Sequence, residues 1–361
     1  MGPPQALLAW FDRHRRELPW REDTNPYRVW VSEIMLQQTR VETVIPYYQA
    51  FLARFPTVEV LAAAELDEVL ARWSGLGYYR RARQLHACAR EVVARGGFPG
   101  TASGLEELPG IGGYTAAAVA SIAFGEPVAV LDGNVERVIT RYQAIAEEPR
   151  QRAVRARVMA AAQALLEASR PGDSNQAMME LGATVCTPTR PRCLLCPLSE
   201  GCRAREQGNP ERYPALARSS KKVAVKLALA VVPRPDGKIL LLRRDDSRRL
   251  LAGTWELPWV EGVADGERGR AGLERELGVR YGARWELQEE LGKVRHGITF
   301  RAIEAQVWRG NVSGGDSVAE GREAGWFAPA ELSRLAVSSL VAKAVRLATG
   351  PGGIAGQRDA S

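Results

Sequence analysis

Four cysteines within seventeen residues, Cys186, Cys193, Cys196 and Cys202, constrain this chain more than any other feature. Their spacing is C-x6-C-x2-C-x5-C. In a cytosolic chain so crowded a set does not read as a disulfide framework. Four thiolates this close take a soft metal centre, either zinc or an iron–sulfur cluster. Structural zinc sites usually pair two Cys-x-x-Cys knuckles, and only Cys193–Cys196 has that form, so spacing alone leaves the metal open. The fifth cysteine, Cys88, stands apart and reads as a buried apolar residue.

The 361 residues suffice for two domains of ordinary size. From Pro4 to about Ala204 apolar residues recur at helix spacing, as in Val31, Ile34, Met35, Val41, Ile45 and Tyr48, and again in Leu66, Val69, Leu70 and Trp73. Composition shifts across residues 209–226, where Pro210, Pro214, Ser219-Ser220 and Lys221-Lys222 mark a linker. Strand-like runs follow at Leu227–Val232, at Ile239–Leu242 after the Asp236-Gly237 turn, and at Ile303–Trp308. The expected organisation is a mainly α domain over 1–208, a linker over 209–226, an α+β domain over 227–348 and a disordered tail over 349–361.

A net charge of +7 suits a polyanionic partner. All six lysines lie beyond Ser220, so the first 220 residues carry their positive charge on arginine and offer no lysine for a Schiff base. Met1 to Arg16 has no continuous apolar run, and no stretch approaches the roughly 20 apolar residues of a membrane helix. A cytoplasmic protein without membrane association is expected.

Leu108-Pro109-Gly110-Ile111-Gly112-Gly113-Tyr114 separates two helical patterns. Pro109 cannot extend the helix before it, and the glycines permit positive φ. The result is a tight turn with backbone N–H groups exposed at a helix start, an anion site of helix-hairpin-helix form. Such a hairpin grips DNA phosphates without reading sequence, here through Gly110, Gly112 and Gly113. Arg190 and Arg192, inside the long cysteine loop, are further candidates for phosphate contact.

Two carboxylates can divide the work of giving a proton to a leaving group and stabilising the cation left behind, as they do in glycosidases. Glu33 and Asp132 are the candidates. Read alone, Glu33 beside Ser32 is a helix-start carboxylate, and Asp132-Gly133 is a turn that caps the next helix. Five motifs change that reading. S-E-I-M-L-Q-Q-T (Ser32–Thr39), G-L-G-Y-Y-R-R-A-R (Gly75–Arg83), L-P-G-I-G, L-D-G-N-V (Leu131–Val135) and the cysteine loop stand in an order and spacing that resemble the adenine DNA glycosylase (MutY) family of the endonuclease III superfamily, over about Leu18 to Cys202.

The resemblance implies a mainly α helix-hairpin-helix glycosylase domain with a [4Fe-4S] loop held by Cys186, Cys193, Cys196 and Cys202. It implies that Glu33 protonates N7 of adenine and then assists the attacking water, that Asp132 stabilises the sugar cation, and that Asn134 orients the site. Tyr114 stands where endonuclease III has its Schiff-base lysine, which implies a monofunctional glycosylase without efficient β-lyase activity. Trp20 and Arg21 match residues of the adenine pocket. Leu36, Gln38 and Thr39 match positions that probe the opposing base, and Tyr78 matches a ring wedged into the stack, where it offsets the cost of extruding a nucleotide. The implied partner is double-stranded DNA carrying adenine opposite 8-oxoguanine or guanine, and the protein is expected to act as a monomer.

The second half resembles a Nudix fold through Leu241–Arg244, Gly253–Pro258 and Arg275–Gly278. A working Nudix helix needs R-E-x-x-E-E for magnesium. Here Leu277-Gly278-Val279-Arg280 follows Arg275-Glu276, so pyrophosphatase chemistry is not expected. The family's lesion-reading loop commonly ends Phe-Ser-His; this chain has Ile298-Thr299-Phe300, which leaves Thr299 to offer a hydroxyl. Three other functions fit parts of the sequence: a pyrimidine mismatch glycosylase, a catalytically silent DNA-binding iron–sulfur protein and a Nudix hydrolase. Gln37-Gln38 with the C-terminal domain, the Glu33/Asp132 pair, and the missing carboxylates disfavour them in turn.

Overall fold

Prolines open several helices of the first two hundred residues, their fixed φ and absent N–H suiting the first helical position. The computed structural model describes residues 2–149, 151–215, 223–245, 251–262, 266–298, 301–313 and 323–350. Its first helices are α1 (Pro3–His14), α2 (Pro26–Leu36), α3 (Val41–Arg54), α4 (Val58–Ala63), α5 (Leu66–Arg72) and α6 (Arg80–Ala94). They continue with α7 (Ala102–Glu106), α8 (Gly113–Phe124), α9 (Gly133–Gln143), α10 (Arg152–Ala164), α11 (Pro171–Thr184) and α12 (Arg203–Glu206).

The start of α2 corrects one local reading. Asn25 caps it, its side chain accepting from the backbone N–H groups of Tyr27 at 3.0 Å and Arg28 at 3.2 Å, and Pro26 follows at the first helical position. An Asn-Pro start outcompetes the later Ser32. Glu33 therefore sits in the last turn of α2, not at its beginning, and a carboxylate there gains nothing from the helix dipole.

The chain divides into two compact units, residues 1–63 with 84–219, and residues 64–83 with 220–361. In the first, α1, α9 and α11 share a core that includes Leu7, Phe11, Val135, Ile139, Ala177 and Leu181. Residues 64–83 are helical over α5, as the spacing of Leu66, Val69, Leu70 and Trp73 predicts, and they make contacts within the second unit. There Asp67 pairs with Arg243 at 3.0 Å, and α5 lies against the 3-10 turn Pro329–Arg334.

The second unit also holds β1 (Val223–Val231), β2 (Ile239–Arg243), β3 (Trp255–Glu256), β4 (Trp259–Glu261), α13 (Gly266–Tyr281), β5 (Arg284–Ile298), β6 (Arg301–Ser313), β7 (Ala324–Phe327) and α14 (Ser339–Thr349). The strands form a four-stranded sheet, β4-β1-β6-β5, and a three-stranded one, β3-β2-β7. β1 and β6 run parallel in register Val223↔Arg301 through Val231↔Arg309. Alternation along β1 sends Leu227, Leu229 and Val231 toward α14, and Ala228 and Ala230 toward α13, so both faces are covered. β1 begins inside the expected linker, whose residues 216–222 lie outside the described residues. Similarly α14 runs through Thr349, and residues 351–361 of the expected tail lie outside them too. Among the described residues no helix is long and apolar enough to cross a membrane.

Candidate active site

Glu33 is buried at one wall of a cavity of about 600 Å³ that lies wholly in the first unit. Tyr114, in the first turn of α8, donates its Oη–H to Glu33 Oε2 at 2.6 Å and stands 3.3 Å from Met179 Sδ. Burial pushes Glu33 up to about 7; the Tyr114 hydrogen bond and Arg21 pull against that, while Asp132 adds to it. Between its ordinary value of 4.5 and about 7, the folded protein keeps a proton that the unfolded chain releases. Ionising Glu33 therefore costs stability as pH rises through that window. Burial, then the charges of Glu33 and Asp132, hold the Tyr114 phenol well above its usual value, so it remains a donor.

Asp132 faces the same cavity from the start of α9. Its Oδ1 accepts from the Val135 backbone N–H at 2.7 Å, capping the helix, and its Oδ2 accepts from Asn134 Nδ2 at 2.9 Å. Capping takes only one oxygen of the carboxylate, so the helix start does not use up the whole group. Asn134 is fixed in turn by Arg137, whose Nη2 donates to Asn134 Oδ1 and to the Gly182 carbonyl, both at 2.8 Å. Gly182 is required there, since a Cβ would stand 2.7 Å from that of Asn134. Trp20, Arg21, Leu36, Gln38 and Thr39 line the cavity as well.

Arg137 and Arg141, one helical turn apart on α9, both hold the cysteine loop. Arg137 Nε donates to the Cys186 carbonyl at 2.8 Å. Arg141, 2% exposed, donates to the carbonyls of Thr187 (2.7 Å), Pro188 (2.8 Å) and Tyr213 (2.9 Å) and to Cys186 Sγ at 3.4 Å. Cys186, Cys193, Cys196 and Cys202 line one small cavity with no carboxylate or imidazole in its wall. Burial, opposed by a backbone hydrogen bond and aided by the neighbouring thiols, pushes Cys196 up to about 12. Such an all-sulfur set with a guanidinium beside it suits a soft, net-anionic centre. Among the described residues no three His, Cys, Asp or Glu side chains converge closely enough to hold a single metal ion.

The hairpin between α7 and α8 leaves Gly110, Gly112 and Gly113 exposed. Gly110 has φ +78°, and a Cβ on it would meet Gln84 Cβ at 2.6 Å, so only glycine serves. Arg190 and Arg192 are exposed on the cysteine loop. Tyr78, 41% exposed, belongs to the second unit. Thr299 lies outside the described residues, which resume at Arg301, the register partner of Ile298. On the Nudix-like helix α13, Val279 is exposed and the Arg280 guanidinium stacks 3.6 Å from the centre of the Trp259 ring.

Sequence reasoning missed the α11 wall. Gln176 and Met179 line the cavity, and Glu180, 1% exposed, accepts from Arg16 Nε at 2.7 Å and Arg21 Nη2 at 2.9 Å. Gln176 Oε1 accepts from Arg21 Nε at 3.0 Å. The signal available was polar residues at i and i+4 on the face of a helix otherwise committed to the core.

A helical unit with an exposed glycine hairpin, and a carboxylate pair meeting in a cavity beside it, defines a base-excision glycosylase of the helix-hairpin-helix class. Residues 31–163 match the HhH-GPD superfamily of base excision DNA repair proteins, and residues 228–347 match the NUDIX domain. The chain is 37% identical to the adenine DNA glycosylase of Homo sapiens across 96% of its own length and 73% of that protein's, and 37% identical to that of Rattus norvegicus across 94% and 77%. A solved thermostable thymine-DNA glycosylase matches 56% of this chain and 95% of its own, with a TM-score of 0.52 and 29% identity. The chain belongs to the adenine DNA glycosylase family.

Proposed function

We propose that this protein is a monofunctional DNA glycosylase that hydrolyses the N-glycosidic bond of adenine mispaired with 8-oxoguanine or guanine. The observation that carries the reading is the meeting of Glu33, buried and held up to about 7, with Asp132 in one cavity. Glu33 gives its proton to N7 of an extruded adenine, and the C1′–N9 electron pair leaves with the base. The Asp132 carboxylate stabilises the resulting oxocarbenium ion. Glu33, now ionised, takes a proton from the water that attacks C1′, which leaves an abasic site and restores the acid. Tyr114 holds Glu33 in place, Trp20 and Arg21 border the base, and Leu36, Gln38, Thr39, Tyr78 and Thr299 are the residues we assign to the opposing strand. Gly110, Gly112 and Gly113 with Arg190 and Arg192 grip phosphates.

Cys186, Cys193, Cys196 and Cys202 would hold a [4Fe-4S] cluster, which when bound ties the loop together and takes no part in the hydrolysis. The first unit contains no lysine, so it offers no side-chain amine for β-elimination through a Schiff base. The test is single-turnover base release from duplexes carrying A:8-oxoguanine, A:G and T:G, with and without alkali and with borohydride. Adenine release, strand scission only after alkali and no trapped adduct are expected. Release of thymine alone, or efficient borohydride trapping, would overturn the proposal.

A general acid must be protonated, so the rate constant for adenine release is expected to be level in mildly acidic solution and to fall tenfold per pH unit above about 7. Single-turnover rates measured from pH 5 to 9 check this. A profile that stays level to pH 9 removes Glu33 as the acid.

A further inference from the structure

Residues 73–81 form a cross-braced loop within the second unit. The backbone takes left-handed φ at Gly75 (+103°), at Gly77 (+73°) and, without glycine's freedom, at Tyr78 (+50°). A non-glycine residue keeps such a conformation only where its surroundings impose it. Trp73, fully buried, donates its indole N–H to the Gly77 carbonyl at 3.1 Å. Arg81 Nη2 reaches the carbonyls of Leu76 and Gly77, both at 3.3 Å, and its guanidinium lies over the rings of Trp73 and Tyr78. The brace leaves the Tyr78 ring 41% exposed and its neighbour Tyr79 only 3% exposed.

Tyr79 ties this loop to the Nudix-like fold. Its Oη donates to the Val337 carbonyl at 2.5 Å, and Ser74 Oγ donates to the same oxygen at 3.1 Å, the two hydroxyls standing 3.4 Å apart. Val337 is itself anchored, bridging to Trp255, whose N–H donates to the adjoining Ala336 carbonyl at 2.8 Å. A second tie runs from Arg83 Nη2 to the Ala252 carbonyl at 3.0 Å. Burial of an aromatic ring needs no direction. Two hydroxyls converging on the two lone pairs of one carbonyl fix both a distance and a direction.

We infer that Tyr79 is a positioning residue for Tyr78: by tying the loop to the Val337 carbonyl it sets where the wedge ring stands, and makes discrimination of the base opposite adenine depend on the Nudix-like fold through the buried Tyr79 hydrogen bond. The inference rests on the proposed function, which gives Tyr78 the wedge role.

Tyr79→Phe in the full-length protein keeps the ring and removes the donor. Two quantities follow the wedge: quenching of 2-aminopurine placed beside the opposing base in a bound duplex, and the ratio of single-turnover rates on A:8-oxoguanine and A:G. Tyr79→Phe is expected to halve the quenching or more and to shrink the rate ratio about three- to tenfold, the range of one buried hydrogen bond. In a Tyr78→Ala background the same substitution should change neither quantity, because its effect passes through the missing ring. Equal losses with and without the Tyr78 ring would overturn positioning and leave packing alone; so would unaltered quenching in Tyr79→Phe. Should Tyr79→Phe reduce the folded fraction, Ser74→Ala removes the companion donor and carries the same cycle. If the wild-type protein releases no adenine from any duplex, the proposed function fails, while the fluorescence cycle still decides the tie.

Discussion

Glu33→Gln is expected to slow adenine release by about 10²- to 10⁴-fold, the range supplied by a positioned general acid, while DNA affinity stays within a few-fold of wild type. The substitution isolates the proton. A glutamine amide fills the same volume and its oxygen can still accept from Tyr114 Oη, which stands 2.6 Å from the carboxylate it replaces. Below about pH 7 the wild-type side chain is mostly neutral, so glutamine also leaves the charge of the cavity unaltered. That is why binding should survive. What an amide cannot do is hand a proton to N7 or take one from water. Single-turnover rates beside equilibrium binding to a duplex with a non-cleavable adenosine analogue separate the two effects. A rate within threefold of wild type would remove Glu33 from the mechanism, whatever happened to affinity.

Glu33 shows how far local sequence carries the argument. Its candidacy was readable from the motif around it, and so was that of the hairpin glycines and the four thiols, because each is a short-range pattern recognised by its spacing. Its place in the helix was not readable in the same way. Ser32 looked like a cap, but the stronger start signal, Asn25-Pro26, lay about two turns upstream and won. The reason for its raised pKa was also hidden, since burial comes from residues distant in sequence. Tyr114 reaches it from α8, with Met179 of α11 against the same hydroxyl, and only the fold brings them there.

In segment 64–83 the helix was legible, but what covers it was not. Hydrophobic periodicity tells which face of α5 is apolar, not what covers it. Leu66, Val69, Leu70 and Trp73 satisfy a helical pattern equally well against either unit. The segment's contacts in the second unit include an ion pair to Arg243 and hydrogen bonds to the carbonyls of Val337 and Ala252, and two of those acceptors are backbone atoms that leave no trace in a sequence. Gln176 and Glu180 went unremarked for a similar reason: polar residues on a packed helix face declare themselves only when their guanidinium partners, Arg16 and Arg21, are placed beside them.

Asp132→Asn is expected to cost about 10²- to 10³-fold in the rate of base release, the scale of one preorganised electrostatic contact to the transition state. Asparagine is as good a helix cap as aspartate, so its oxygen can keep the bond to the Val135 N–H and α9 should hold its start. The second oxygen is not so easily replaced. The chain of bonds from Arg137 through Asn134 to Asp132 has a direction: arginine donates to the Asn134 oxygen, and the Asn134 amide donates onward, so position 132 must end it as an acceptor. An amide nitrogen there sets donor against donor, at a cost of about 1 kcal/mol. Turning Asn134 over would only move the conflict to Arg137. The variant also removes one of the charges that raise the pKa of Glu33, so the alkaline limb of the pH profile should shift to lower pH. Asp132→Ala separates these effects, because it loses the cap as well and should lower the unfolding temperature further than Asp132→Asn does. A variant Asp132→Asn that released adenine at the wild-type rate with an unmoved alkaline limb would show that no carboxylate faces the developing sugar cation, and the two-carboxylate mechanism would have to be abandoned.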